Sequence, residues 1–327
     1  MIRSTTGFVI FLLCLQSASD VHAESVLKNA YNFSDIYSEV TERRAVKDLS
    51  DTLIVMDDDD TLTMMACPNP TSPAECQYLG GPSWIDWQIE LVNQFNSEGH
   101  SELLPGQVAA SDDAVFAIGD LLFDLNQMVL ADSSSPTALI NFASLGASLM
   151  VLTSRDAGGV SATQAQLRGL DMPSGEIADN MLDLIDGHAP TWRASGESSM
   201  AGTETKAFCN ASMPVAYRNG ILYTTGQNKG EMLKCFLRHS EVENISKIIF
   251  VDDTEKNVID VHNAFSVANT PYDMAAFHFT HLTDHKERFS APSENGPMNK
   301  YQTMATSRWK ALRHILGKTL LKPAKLE

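Results

Sequence analysis

The sequence predicts an α/β protein built on a parallel sheet, and three recurrences of one local pattern carry that prediction. Leu53-Ile54-Val55-Met56 is a short continuous apolar run that stops abruptly at Asp57-Asp58-Asp59-Asp60-Thr61. Leu149-Met150-Val151-Leu152 stops in the same way at Thr153-Ser154-Arg155, and Ile248-Ile249-Phe250-Val251 stops at Asp252-Asp253. A strand buried on both faces, as in a parallel sheet covered by helices, has no polar alternation, and these runs have none. Open sheets of this kind bind ligands at the carboxyl ends of their strands. The three polar clusters, far apart in sequence, are therefore expected to meet in space.

Residues 1–23 have the make-up of a secretory signal peptide. Arg3 supplies a positive start, Gly7 to Leu15 is an apolar run too short to span a bilayer, and Val21-His22-Ala23 is a small-residue cleavage site with the cut after Ala23. The mature chain is expected to be secreted or periplasmic. It carries no later run of about 18 apolar residues, so no transmembrane segment is predicted in it. Glu24 to Asp51 predicts a helical lead-in, with Ala30, Phe33, Ile36 and Val40 at helical spacing.

After the first strand, residues 64–135 are too many for an ordinary connection and predict a small helical cap. One helix carries Trp84, Trp87, Ile89, Leu91, Val92 and Phe95; a second runs from Asp113 to Leu130. Trp84, Trp87 and Tyr78 are expected in the cap's own core rather than against a substrate. Ser135-Pro136 has N-cap and first-turn character and starts the helix that leads to the second strand. Val215 to Tyr223 predicts a hairpin, because Asn219-Gly220 supplies the positive φ angles of a type I′ turn. A helix from Lys229 to Leu237 and a strand from Ala275 to Phe279 follow. From Lys300 to Leu321 the chain is basic and amphipathic, which favours a docked terminal helix over binding to a membrane surface. The resulting division is a core of residues 24–63 and 136–285, a cap of 64–135 and a basic helical tail of 286–327.

With 43% hydrophobic residues in 327, the chain is neither disordered nor of low complexity. Its 41 acidic against 24 basic residues give a net charge of −17, which repels phosphate backbones and argues against nucleic-acid binding. A small anionic substrate is still admitted, because one metal ion reverses the field inside one pocket. Once Cys14 leaves with the signal peptide, Cys67, Cys76, Cys209 and Cys235 remain. They are compatible with two disulfides in an exported protein, and the local pair Cys67–Cys76 is preferred among three possible pairings. Without a CxxC or a nearby histidine pair they do not form a zinc site.

Asp57-x-Asp59-x-Thr61-Leu62 at the end of a buried strand is the most informative cluster. Carboxylates there suit a hard cation such as Mg2+. One aspartate can attack a phosphoryl group and a second, two residues on, can protonate the leaving oxygen and later activate water. A calcium-binding EF-hand loop is excluded: its fifth, sixth and twelfth positions would be Thr61, Leu62 and Pro68, none of which fits. Thr153, Lys229 and Asp252-Asp253 each have an ordinary explanation when taken singly: a turn, a surface lysine and a helix cap. Asn257, a turn beyond Asp252, is a further candidate metal contact.

Their order changes the weight. DxDxTL, then a strand ending in Thr, then Lys, then a strand ending in DD resembles the four motifs of the haloacid dehalogenase-like (HAD) superfamily, over most of residues 53 to 280. The resemblance implies a Rossmann-like three-layer parallel sheet with an inserted helical cap of the C1 type. By the same resemblance Asp57 is the nucleophile, Asp59 the general acid/base, Thr153 the phosphate-binding hydroxyl and Lys229 the charge-neutralising lysine. Asp57, the Asp59 backbone carbonyl, Asp252 and Asp253 would hold Mg2+. The second aspartate marks the phosphatase and phosphotransferase branch, and Asp60 stands where many members carry Gly. The exported location, LGGPSW after the first motif and the NG hairpin are similar to a bacterial family of uncharacterised secreted HAD-like proteins. The implied function is a Mg-dependent phosphatase that hydrolyses a small phosphomonoester through an aspartyl-phosphate. A non-catalytic protein that reuses the fold to bind a partner or a host is the alternative.

Overall fold

The computed structural model describes residues 25–42, 47–67, 76–173, 177–190, 211–240, 244–267 and 270–319. The signal peptide with its cut after Ala23, Cys209 and the end of the tail lie outside the described residues. Seven strands form one sheet: β1 (Ser25–Ala30), β2 (Thr52–Met56), β5 (Ser148–Thr153), β6 (Ala216–Arg218), β7 (Ile221–Tyr223), β8 (Lys247–Asp252) and β9 (Asp273–Phe279). Their order is β1-β9-β8-β2-β5-β7-β6. Every pairing is parallel except that of β6 with β7. The chain runs from β2 outward to β5 and β7, then returns to β8 on the other side of β2, so the direction of winding reverses beside β2. With its ten described helices this is an α/β architecture compatible with a Rossmann-like fold.

The unbroken apolar runs are explained by two cores, one on each face. Ile54, Met56, Leu149, Val151, Ile249 and Val251 point to one face. There they meet α1 (Phe33–Glu42), α4 (Ser135–Ser144), α5 (Val160–Arg168) and α6 (Met181–Gly187). Leu53, Val55, Met150, Leu152, Ile248 and Phe250 point to the other, against α7 (Lys229–His239) and α8 (Glu255–Phe265). Alternate residues of each strand are thus apolar for different helices. At full burial each such side chain contributes on the order of 2 kcal/mol.

Residues 64–135 carry two helices, α2 (Pro82–Glu98) and α3 (Asp112–Leu125), and a small separate sheet of β3 (Thr63–Met65) with β4 (Met128–Leu130). The segment leaves and rejoins the rest of the chain through that antiparallel pair. The expected second helix therefore stops short: Asn126 turns to extended backbone, its Nδ2 donates to the Leu79 carbonyl at 2.9 Å, and 128–130 pairs as a strand. The helical lead-in also needs correcting. Residues 25–30 form β1, which pairs along its whole length with β9, and the helix begins only at Phe33. An edge strand with Leu27 and Asn29 exposed carries no clean apolar alternation, and the helical spacing starting at Ala30 masked it. The N-cap of α4 is Ser134, one residue before the expected position.

The hairpin turn has Asn219 at φ 51° and Gly220 at φ 75°, as a type I′ turn requires. Cys67 and Cys76 form a disulfide, and Cys235 is disulfide-bonded as well. The last two described helices are α9 (Thr283–Ser290) and α10 (Lys300–Thr319). The second is docked: Gln302, Ala305 and Thr306 are buried, and Arg308 donates to the Cys76 carbonyl at 3.0 Å. No described helix is long and apolar enough to cross a membrane.

Candidate active site

The register Met56↔Val251 places the residue after β2 beside the last residue of β8, so Asp57 stands next to Asp252. The Asp57 N–H extends the ladder by one bond, donating to the Val251 carbonyl at 2.9 Å. The chain then turns sharply. The Asp58 carbonyl accepts from Leu62 N and Thr63 N at 2.9 Å each, and Asp60 adopts φ 60° to close the turn. Thr61 stitches the turn to the far side of the site: its Oγ accepts from the Asp253 N–H at 3.0 Å.

One oxygen from each of Asp57, Asp252 and Asp253 lies within 4.8 Å of the others, and all three residues are buried. Lys229, at the first turn of α7 and only 1% exposed, donates to Asp57 Oδ1 and, at 2.6 Å, to Asp252 Oδ2. Asn228 caps that helix by accepting from Glu231 N at 3.0 Å. Gly230 lets α7 approach α8 closely, since a Cβ there would stand 2.5 Å from the Asp260 carbonyl oxygen. Asp252 is further held by the Thr254 N–H at 2.8 Å and by Asn257 Nδ2 at 3.2 Å. Lys286, from α9, donates to Asp253 Oδ2 at 2.6 Å.

Burial pushes the Asp57 carboxyl well above the ordinary carboxylate range; Lys229 opposes the shift, and Asp252 and Asp253 reinforce it. For Lys229 burial opposes charge, but Asp252 and Asp57 outweigh it and hold the ammonium above the usual lysine value. Asp253 is raised by burial against the pull of Lys286. Five carboxyls (Asp57, Asp58, Asp59, Asp252 and Asp253) thus pair with three cations, Arg155, Lys229 and Lys286, and Asp60 is buried beside them. An oxygen-only set with surplus negative charge is the kind that holds a hard divalent cation.

Asp59 faces a different partner. Its Oδ2 accepts from Arg155 Nε at 2.8 Å and its Oδ1 from Nη2 at 2.6 Å. Asp58 is structural: Thr63 Oγ donates to its Oδ1 at 2.9 Å, and Arg155 Nη1 stands 3.1 Å from its Oδ2 as a charge contact without hydrogen-bond alignment. Burial raises the Asp58 carboxyl to about 6, with Arg155 opposing. Thr153 is buried at the end of β5, where its Oγ accepts from the Arg155 N–H at 3.2 Å. Its carbonyl accepts from both Thr224 N and Thr224 Oγ at 2.9 Å, which fixes the strand end.

Sequence reasoning therefore named Asp57, Lys229, Asp252 and Asp253, which the fold brings together, quoted Thr61 without giving it a role, and missed the parts of Arg155 and Lys286. Arg155 ended the quoted cluster Thr153-Ser154-Arg155, but nothing in its residue type signalled a partner 96 positions away. Tyr78, Trp84 and Trp87 lie in the hydrophobic core. Tyr78 stacks on His285 at 4.3 Å, and burial lowers that imidazole to about 4. The family model described as a protein of unknown function (DUF2608) matches residues 29–321. The chain belongs to the DUF2608 family. The match spans the sheet from the end of β1 through α10 and includes every site residue named above. No curated protein matches the chain.

Proposed function

We propose that this chain is a secreted or periplasmic phosphatase that hydrolyses a small phosphomonoester through an aspartyl-phosphate on Asp57. The observation that carries the reading is the buried convergence of Asp57, Asp252 and Asp253 on Lys229 at the carboxyl ends of β2 and β8. The order of motifs and their haloacid dehalogenase-like resemblance support it, with residues 64–135 acting as a C1-type cap that excludes water.

A carboxylate oxygen of Asp57 attacks phosphorus while the phosphorus–ester oxygen bond breaks. The departing oxygen takes the proton of the Asp59 carboxyl and leaves as the alcohol. Water then attacks phosphorus, giving its proton to the Asp59 carboxylate; inorganic phosphate departs and the Asp57 carboxylate is restored. Lys229 balances negative charge on Asp57 and on the transferring phosphoryl group, and Thr153 binds a phosphate oxygen. The residues that would hold Mg2+ are Asp57, Asp252, Asp253 and the Asp59 backbone carbonyl; a bound Mg2+ would supply positive charge for the phosphoryl oxygens. The donor set fits that ion, being all oxygen and short of cationic charge.

The test is phosphate release from an aryl phosphate by the chain starting at Glu24, with Mg2+ and with EDTA. Release is expected to need Mg2+ and to fall by at least about a thousandfold in Asp57→Asn. Turnover by pure Asp57→Asn at the wild-type rate would refute the mechanism.

A further inference from the structure

Asp59 is placed by a single side chain, and that side chain is itself seated partly on the 64–135 segment. Arg155 is 9% exposed, and each of its three nitrogens has a partner. Nε and Nη2 grip Asp59. Nη1 donates to Thr163 Oγ at 2.8 Å and to Gln166 Oε1 at 2.7 Å, both on α5. The other end of the Gln166 amide reaches α3, where Nε2 donates to the Phe123 carbonyl at 2.8 Å. The Phe123 ring itself lies 4.7 Å from the guanidinium carbon. A cavity of about 200 Å³ between α3 and the segment after β5, bounded by Asp120, Phe123, Asp156 and Thr163, opens on Arg155.

We propose that Arg155 is a positioning residue for proton transfer: it aims the Asp59 carboxyl at the reacting ester and makes that aim depend on where α3 sits. The inference rests on the phosphatase reading above. A general acid works only within hydrogen-bond reach of the oxygen it protonates, and an aspartate on a tight turn is free to rotate unless held. A planar fork fixes both the plane and the direction of a carboxylate, which an ammonium cannot do. The guanidinium is itself steadied by Thr163, Gln166 and Phe123. If α3 moves, the Gln166 bridge and the Phe123 face go with it, and Asp59 loses its aim while Asp57, Lys229 and Asp252 keep theirs.

Proton donation matters most when the leaving oxygen is basic, so the readout is selectivity between esters. kcat/KM is measured for p-nitrophenyl phosphate and for phenyl phosphate with wild type, Asp59→Asn, Arg155→Lys and Gln166→Ala. Asp59→Asn is expected to lose far more on phenyl phosphate than on the activated ester. Arg155→Lys should follow it, raising the activated-to-unactivated ratio by about tenfold, and Gln166→Ala by about threefold. Should Arg155→Lys fail to fold, Gln166→Ala carries the same test without touching Asp59. Equal losses on both esters in these two variants, or no loss, with a selective Asp59→Asn, overturn the inference alone. A wild type inactive on both esters, or an Asp59→Asn without selectivity, overturns the phosphatase reading or its acid, and this inference with it.

Discussion

Asp57 and Asp59 stand two residues apart on one turn, and each meets a buried cation, yet the two pairs are built differently. Lys229 is a point charge shared between Asp57 and Asp252, and everything that positions it comes from the ends of β2 and β8 and the first turn of α7. Arg155 is a fork that takes both oxygens of Asp59, and its own seat lies on α5 and α3. Strand register and one lysine at the start of α7 fix the first carboxylate. The second is fixed through side chains that reach the 64–135 segment. One turn therefore carries a group held from the strand ends and a group held through a chain of side chains that ends on α3.

Breaking the first pair should have the larger effect on stability. Lys229→Met leaves Asp57 and Asp252 buried without their shared cation, which costs about 3–5 kcal/mol at pH 7. Acid relieves part of that cost by protonating Asp57, whose carboxyl burial already pushes upward. Urea unfolding of wild type and variant at pH 7 and pH 5 is expected to show the gap narrowing at pH 5. An equal gap at both values would mean that Lys229 matters through packing and not through charge.

The second pair can be sharpened through Asp58, which also faces Arg155. Its carboxyl rises from 3.8 in the unfolded chain to about 6 in the fold, so the folded state binds the extra proton between those values. The stability due to that proton is fully present below pH 3.8 and is lost as pH rises through 6. The loss amounts to about 3 kcal/mol for a group only 1% exposed. Asp58→Asn lacks this titration, so wild-type stability minus that of the variant should fall as pH rises from 4 to 7. A difference that grows with pH would show that the Arg155 contact outweighs burial.

What the sequence made legible follows the same division. The three central strands were readable because burial on both faces leaves an unbroken apolar run, and their polar ends gave Asp57, Asp252 and Asp253 directly. Lys229 was readable only through the order of motifs. The edge strand β1 and the short β4 were not, because each is held by one neighbour distant in sequence and carries no period of its own. Arg155 and Lys286 escaped for a related reason. Their partners, Asp59 and Asp253, are supplied by topology, and a charged residue beside a turn is unremarkable until the fold closes over it.

The turn that separates the two pairs gives the smallest and cleanest prediction. Asp60 adopts φ 60°, a conformation that costs a side-chain-bearing residue about 1 kcal/mol and costs glycine nothing. The residue is also buried, at 5% exposure, and burial pushes its carboxyl well above the ordinary range, with Asp253 adding to the shift and Lys286 opposing it. Asp60→Gly removes both the strain and the buried acid, while glycine's greater freedom in the unfolded chain takes back part of the gain. The net expectation at pH 7 is a stabilisation of about 1 kcal/mol, read as a higher urea midpoint with an unchanged slope. Asp60→Ala separates the contributions: it discards the carboxyl but keeps the strain, so its midpoint should fall between those of wild type and Asp60→Gly. A midpoint below wild type in both variants would mean that the attraction between Asp60 and Lys286 outweighs burial and strain together. In that case Asp60 would hold α9 against the site rather than merely close the turn.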